Sequence, residues 1–399
     1  MLHSQNIWHV LIVINRILVM NTKKYNISLI VGLCLIVCLL VGVKILSNGK
    51  SDNTIGSTLK IGVVLPETGK FASISEDIKN ALTLAGENSD GQVEYVFEDS
   101  AGEPQKGISG MLNVIQNKKV QVVLSGTGST VNIAMAPIAE KFKTPYFAIS
   151  ATPELMGKDD FTFTVQPAVT REVLKMSEYL RNTYTNTSKV AVIYDSTSDT
   201  LTTGSNMFAD DFVKRGGKLV LKEGFGKDIQ YNSVATKAIS FNPEIIYVLG
   251  VDKVAGPIVK AIKDLGYKGK IAGFSGIESE EFLKATKSNN EDVLMTSVPF
   301  SCESSAVTSK YCKEYTSRFN RSPQQYGAYA YDVVTMLAEL YDSCVLKEGR
   351  EMKECISASG SFSNRSLTQS FGFDQNGDLS VNIPILIKKI QSEKFVVVQ

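Results

Sequence analysis

Two short stretches gather hydroxyls, glycines and helix-starting residues in a pattern suited to a small anion. The first is Ser125-Gly126-Thr127-Gly128-Ser129-Thr130, the second Ser150-Ala151-Thr152-Pro153. Each follows a short apolar run, residues 120–124 and 146–149, of the kind that forms a buried parallel strand. Residues 132–142 read as the helix between them, with Ser129 and Thr130 in its N-cap region. The first amides of a helix have no acceptor within it, and the helix dipole favours negative charge there. With serine and threonine hydroxyls beside those amides, a carboxylate is the natural guest. Gly126 and Gly128 let the backbone approach it closely. In a parallel sheet both turns open side by side at the carboxyl edge.

Other chemistry is scarce. The only histidines are His3 and His9, ahead of the first membrane-length apolar segment, so the globular part has none. Triad-type nucleophilic catalysis and histidine-ligated zinc are therefore implausible, and no metal or cofactor is expected. No nucleophile–base pair or phosphate loop of P-loop spacing is visible, so an enzyme is not expected. The formal net charge of +1 lacks the basic excess that nucleic-acid binding calls for.

The elements that must position the two turns follow a βα alternation. Strands are predicted at 59–65 and 93–97, with helices at 75–88 and 104–117, before the first hydroxyl turn. After residues 161–165 the same grammar restarts, with strands at 190–194, 218–222, 245–249 and 270–273 and helices at 203–215, 233–240 and 254–265. Set side by side, LKIGVVLPETG matches KVAVIYDSTSD, and KVQVVLSGTGS matches PEIIYVLGVDK, each strand ending in a small or polar turn. The pattern is that of two doubly wound α/β lobes. A chain of 399 residues agrees with two domains. From Pro299 the character changes to two long helices, 305–320 and 324–344, and then terminal strands.

Residues 25–43 (YNISLIVGLCLIVCLLVGV) carry no charge and are long enough to span a bilayer. Lys23 and Lys24 precede them, which orients the remainder outside the cytoplasm. An uncleaved anchor over 25–46 is preferred to a cleaved signal peptide, with 1–24 as an N-terminal extension and 47–58 as a polar linker. Beyond the apolar segment, Cys302, Cys312, Cys344 and Cys355 form an even set that fits two disulfides in an oxidising compartment. Local pairing, Cys302–Cys312 and Cys344–Cys355, is the simplest of the three connectivities. Zinc is the rival reading, though no CxxC spacing exists.

LKIGVVLPETGKFASISEDIKNALTLA, the stretch from EDSAGEPQ to SATPEL, and KVAVIYD resemble the Leu/Ile/Val-binding class of type I periplasmic binding proteins of ABC transporters. The resemblance runs from about residue 60 to 389. It implies two Rossmann-like lobes joined by three crossings: lobe 1 at 58–165 and 300–368, lobe 2 at 166–299 and 369–399. A solute is trapped between them by hinge closure and handed to an ABC permease. By that likeness Ser129 and Thr130 hold a carboxylate, while Ser150, Ala151 and Thr152 form the turn that receives an α-ammonium. Elsewhere the chain departs from the pattern. Ile74 stands where an aromatic is common, Thr200 and Val251 (with Asp252 beside it) where tyrosines are, and Ser275 where a glutamate pairs the ammonium. Asp199 or Asp252 is the available substitute acid. Without one, the solute is a carboxylate other than a standard α-amino acid. The competing implication is a membrane-tethered regulatory ectodomain of the same fold.

Overall fold

The computed structural model describes residues 58–89, 91–155, 161–185, 189–287, 289–346, 350–359, 361–363, 370–373, 377 and 383–398. The expected anchor at 25–46 lies outside them. Among the described residues no helix is long and apolar enough to cross a membrane.

Leu59–Leu65 forms strand β1, and its apolar residues are all buried, as a strand covered on both faces requires. Helix α1 (Ala72–Glu87), β2 (Val93–Asp99), α2 (Pro104–Leu112), β3 (Val122–Ser125), α3 (Ser129–Phe142), β4 (Tyr146–Ala148) and β5 (Thr162–Thr164) complete the first lobe's sheet units. The strand order is β2-β1-β3-β4-β5 and every pairing is parallel. Strand order reverses between β1 and β3, and ligands of open α/β sheets sit at the carboxyl side of such a switch.

The second lobe repeats the plan. It comprises α4 (Val169–Thr183), β6 (Lys189–Asp195), α5 (Asp199–Lys214), β7 (Lys218–Phe225), α6 (Tyr231–Ser240), β8 (Ile245–Leu249), α7 (Asp252–Asp264), β9 (Lys270–Gly273), α8 (Glu280–Ala285) and β10 (Leu294–Ser297). Its switch point lies between β6 and β8. Helix α4 is not marked by the βα alternation, yet Val169, Val173, Met176 and Leu180 share one buried face at helical spacing.

The chain then returns to the first lobe. Helices α9 (Ala306–Phe319) and α10 (Gln325–Leu340) pack on α1, and α11 (Met352–Ala358) follows. Strands β11 (Ser361–Ser363) and β12 (Ser370–Gly372) form an antiparallel pair, and Phe373 packs edge-on against Phe147 and Phe163 of the first lobe. Finally β13 (Leu386–Gln391) runs antiparallel to β10 in the second lobe, and β14 (Lys394–Val397) closes that sheet's edge. The cysteines pair locally, Cys302–Cys312 and Cys344–Cys355.

One buried carboxylate pins α10 to α1. Asp77, fully buried on α1, accepts from the Tyr315 hydroxyl at 2.8 Å, the Gln324 amide at 3.1 Å and the Gly327 amide at 2.6 Å. It thus caps the N-terminus of a helix remote in sequence. A Cβ at Gly327 would stand 2.7 Å from the Asp77 carboxylate, so the position needs glycine. Burial pushes the Asp77 carboxyl up to about 6, against the opposing pull of those donors.

Candidate functional site

The hydroxyl turn after β3 is fixed from below by a buried network. The Ser125 hydroxyl bonds Asn132 Oδ1 at 2.9 Å and the Tyr146 hydroxyl at 2.7 Å, and Asn132 Nδ2 donates to the Gly126 carbonyl at 3.0 Å. Each member is buried and paired, which makes the turn rigid. Gly128 then takes φ of +126°, a conformation closed to other residues, as the N-cap of α3. Having no side chain, it leaves the first amides of α3 uncapped.

Across the seam, β6 ends at Asp195 and Ser198 caps α5. Ser129 Oγ lies 3.1 Å from Ser198 Oγ, and the Thr200 amide points at Ser129 Oγ from 3.4 Å. The N-termini of α3 and α5, one from each lobe, therefore meet at Ser129, two positive dipole ends converging on one point. Deeper in, Thr200 Oγ1 donates to Thr152 Oγ1 at 3.1 Å, and the Ser150 and Thr152 hydroxyls bond one another.

Outward from Ser129 a cleft of about 530 Å³ opens between the lobes. Ser129 and Thr130 line it, with Gly128 beside them. At its wall Lys70, from the turn after β1, forms an ion pair with Asp195 of the other lobe and donates to Thr197 Oγ1 at 2.8 Å. Asp195 is almost wholly buried and also accepts from the Thr197 amide at 3.0 Å and hydroxyl at 2.6 Å.

The structure thus brings Ser129, Thr130, Ser150, Thr152 and Thr200 together, with Ala151 in the same turn; Ile74, Asp252 and Ser275 lie elsewhere. Ile74 is 1 % exposed and packs in the core, while Phe71, just under one helical turn earlier, faces the cleft. The Ala151 carbonyl accepts from the Val169 amide at 3.0 Å, tying the turn to the start of α4. Asp252 is committed to the seam: it accepts from Ser73 of the first lobe at 3.1 Å, Ser279 at 2.9 Å and its neighbour's amide at 2.7 Å. Burial raises its carboxyl above the usual range. Ser275 sits beside an acid that the sequence motifs do not single out. Its amide and hydroxyl donate to Glu172 at 3.0 and 2.9 Å, and Thr296 adds a bond of 2.6 Å. Glu172 is buried, which pushes its carboxyl upward despite those donors. Its one signal is the amphipathic spacing of α4. Lys70 and Ser198 have none, because their partners Asp195 and Ser129 lie across the seam, and Phe71 is set apart only by its place on the cleft wall. Among the described residues, no group of histidine, cysteine and carboxylate side chains is arranged to hold a metal.

A family model described as periplasmic binding protein matches residues 58–354. Leu/Ile/Val-binding protein homolog 2 of Brucella abortus is 24 % identical over 369 residues, covering 89 % of this chain and 94 % of its own. Among solved structures, a leucine-binding protein of Thermotoga maritima superposes with a TM-score of 0.78 at 21 % identity, over 86 % of this chain and 98 % of its own. A branched-chain amino acid transporter substrate-binding protein of Streptococcus pneumoniae, solved with isoleucine, gives 0.76 at 24 % identity, over 86 % and 99 %. At these identities the structural likeness speaks to the fold.

Proposed function

Since this chain belongs to the periplasmic binding protein family, we propose that it captures a small carboxylate-bearing solute between its lobes, outside the cytoplasm, for delivery to an ABC importer. The observation that carries the reading is the meeting of two helix N-termini at Ser129, on the wall of an interlobe cleft. Lobe 1 offers the uncapped amides of α3 and the Ser129 hydroxyl. Closure then brings the Ser198 hydroxyl and Thr200 amide from lobe 2, so the anion's charge is met from both sides. Lys70 adds a cation at the wall and ties the lobes together through Asp195. Residues 25–46 serve as the tether that keeps the protein beside its permease. The relatives' names, which speak of leucine, isoleucine and valine, agree with a ligand of amino-acid size.

The test is calorimetric titration of the full chain in detergent with carboxylates found in a thermal-shift screen. A hydrogen bond to a charged group contributes about 1.5–3 kcal/mol. Ser129→Ala is therefore expected to weaken binding about ten- to a hundred-fold, with little loss of stability in the unliganded protein. An unchanged affinity refutes the assignment. The direct bonds that join the lobes at Lys70–Asp195 and Ser73–Asp252 favour a second reading, a regulatory ectodomain closed by its own side chains. Silence towards every carboxylate, together with stoichiometric co-purification of an envelope enzyme, supports that one.

A further inference from the structure

Within the carboxylate cleft just proposed, and resting on that reading, we infer that the solute's other end is apolar and bears no ammonium: the cleft takes a monocarboxylate with an aryl or branched-alkyl tail. The first ground is the wall beside Ser129. Phe71, Pro104, Phe225, Ile229, Tyr231 and Val254 line the cleft from both lobes. The Phe71 ring lies 3.7 Å from where a Cβ on Gly128 would stand, next to the carboxylate position. A guest whose head reaches Ser129 therefore lays its next atoms against an aromatic ring.

The second ground is the fate of the acids. An ammonium buried in a closed cleft needs a carboxylate with unspent acceptor capacity. Asp195 is paired with Lys70 and two groups of Thr197, while Glu103 stands half-exposed at the rim beside Lys106 at 3.0 Å, where water screens its charge and it cannot neutralise a buried ammonium. Asp252 and Glu172 are each held by three donors away from the cleft. The exposed Lys227 at the rim adds positive charge. The hydroxyl turn that would receive an ammonium is itself engaged, with Ser150 bonded to Thr152 and Thr152 accepting from Thr200. Asp199, the other candidate acid, is exposed at the start of α5 and is not among the residues that line the cleft. Among the described residues one buried carboxylate oxygen is left over: Oε2 of Glu154 has no partner, while Oε1 accepts from Thr203 at 2.6 Å. Glu154 is not among the residues that line the cleft, so it is the natural control.

Matched pairs separate the possibilities. The full chain is titrated with 4-methylpentanoate against leucine and with 3-phenylpropanoate against phenylalanine. At least one deamino acid is expected to bind about tenfold or more tighter than its amino counterpart. Phe71→Ala is expected to weaken that acid by about tenfold, and Glu154→Gln to leave it unchanged. Leucine or phenylalanine binding as tightly as its deamino partner overturns the inference, the more so if Glu154→Gln abolishes it; the carboxylate reading then survives through its own Ser129→Ala test. Failure of all four to bind also overturns it, and the Ser129→Ala result with any screened carboxylate decides the broader reading separately.

Discussion

Replacing Asp77 by asparagine tests whether one buried carboxylate makes the α1–α10 joint sensitive to pH. The group titrates near its ordinary value of 3.8 in the unfolded chain and at about 6 in the fold, because burial outweighs its three donors. The folded protein therefore keeps a proton that the unfolded chain releases across that interval. The stabilisation is fully present below about pH 3.8 and is lost as pH rises through about 6. Each pH unit is worth about 1.4 kcal/mol, so the loss amounts to about 3 kcal/mol. Because the side chain is fully buried, solvent screening does not reduce this figure appreciably. An asparagine in its place would turn an NH2 group towards donors, which costs about 1–3 kcal/mol at every pH. That constant cancels in the comparison, as do Glu172 and Asp252, which titrate alike in both proteins. Urea unfolding followed by circular dichroism, at intervals from pH 4 to 7, gives the two stabilities. Their difference, wild type minus Asp77→Asn, is expected to fall by about 2.4 kcal/mol over that range, the rest of the loss lying below pH 4. Parallel curves would refute the argument that burial governs this group.

Lys70→Met removes the cation from the nearly buried Asp195 while keeping its two Thr197 donors. Solute affinity should fall by up to about tenfold, and small-angle scattering should record a larger, more open particle; unchanged values for both contradict a role in closure. Gly128→Ala forces φ of +126° on a residue with a side chain. It should cost about 1–3 kcal/mol in chemical unfolding and displace Ser129, weakening binding; a silent substitution there contradicts the geometry of the turn. Reducing the disulfides, which close short loops of sequence separation 10 and 11, should remove about 2–3 kcal/mol each and lower the melting temperature.

The two-lobe plan was legible because its signals are local. Apolar runs such as 59–65 and 245–249 bounded by small residues mark buried parallel strands with little ambiguity. Ser129 was legible for the same reason: uncapped amides and a hydroxyl within one turn are visible without tertiary knowledge. What escaped depends on contacts between residues far apart in the chain. Ile74 and Phe71 differ by less than one helical turn in position, and nothing in the order of residues says which of them looks into the cleft. Asp252 offered itself as an acid for a ligand, yet Ser73, 179 positions away, claims its carboxylate. Glu172 was hidden with α4, whose charged residues mask its buried stripe. Strand β10 was missed because much of its pairing comes from β13, far along the chain.

The strand order has a practical corollary. Strand β1 starts in one half of the molecule and β14 finishes in the other, so Leu59 and Val397 ride on bodies that a hinge would swing apart. A donor dye ahead of β1 and an acceptor after β14 would turn each capture and release into a change in energy transfer, making the chain its own gauge for whatever it holds.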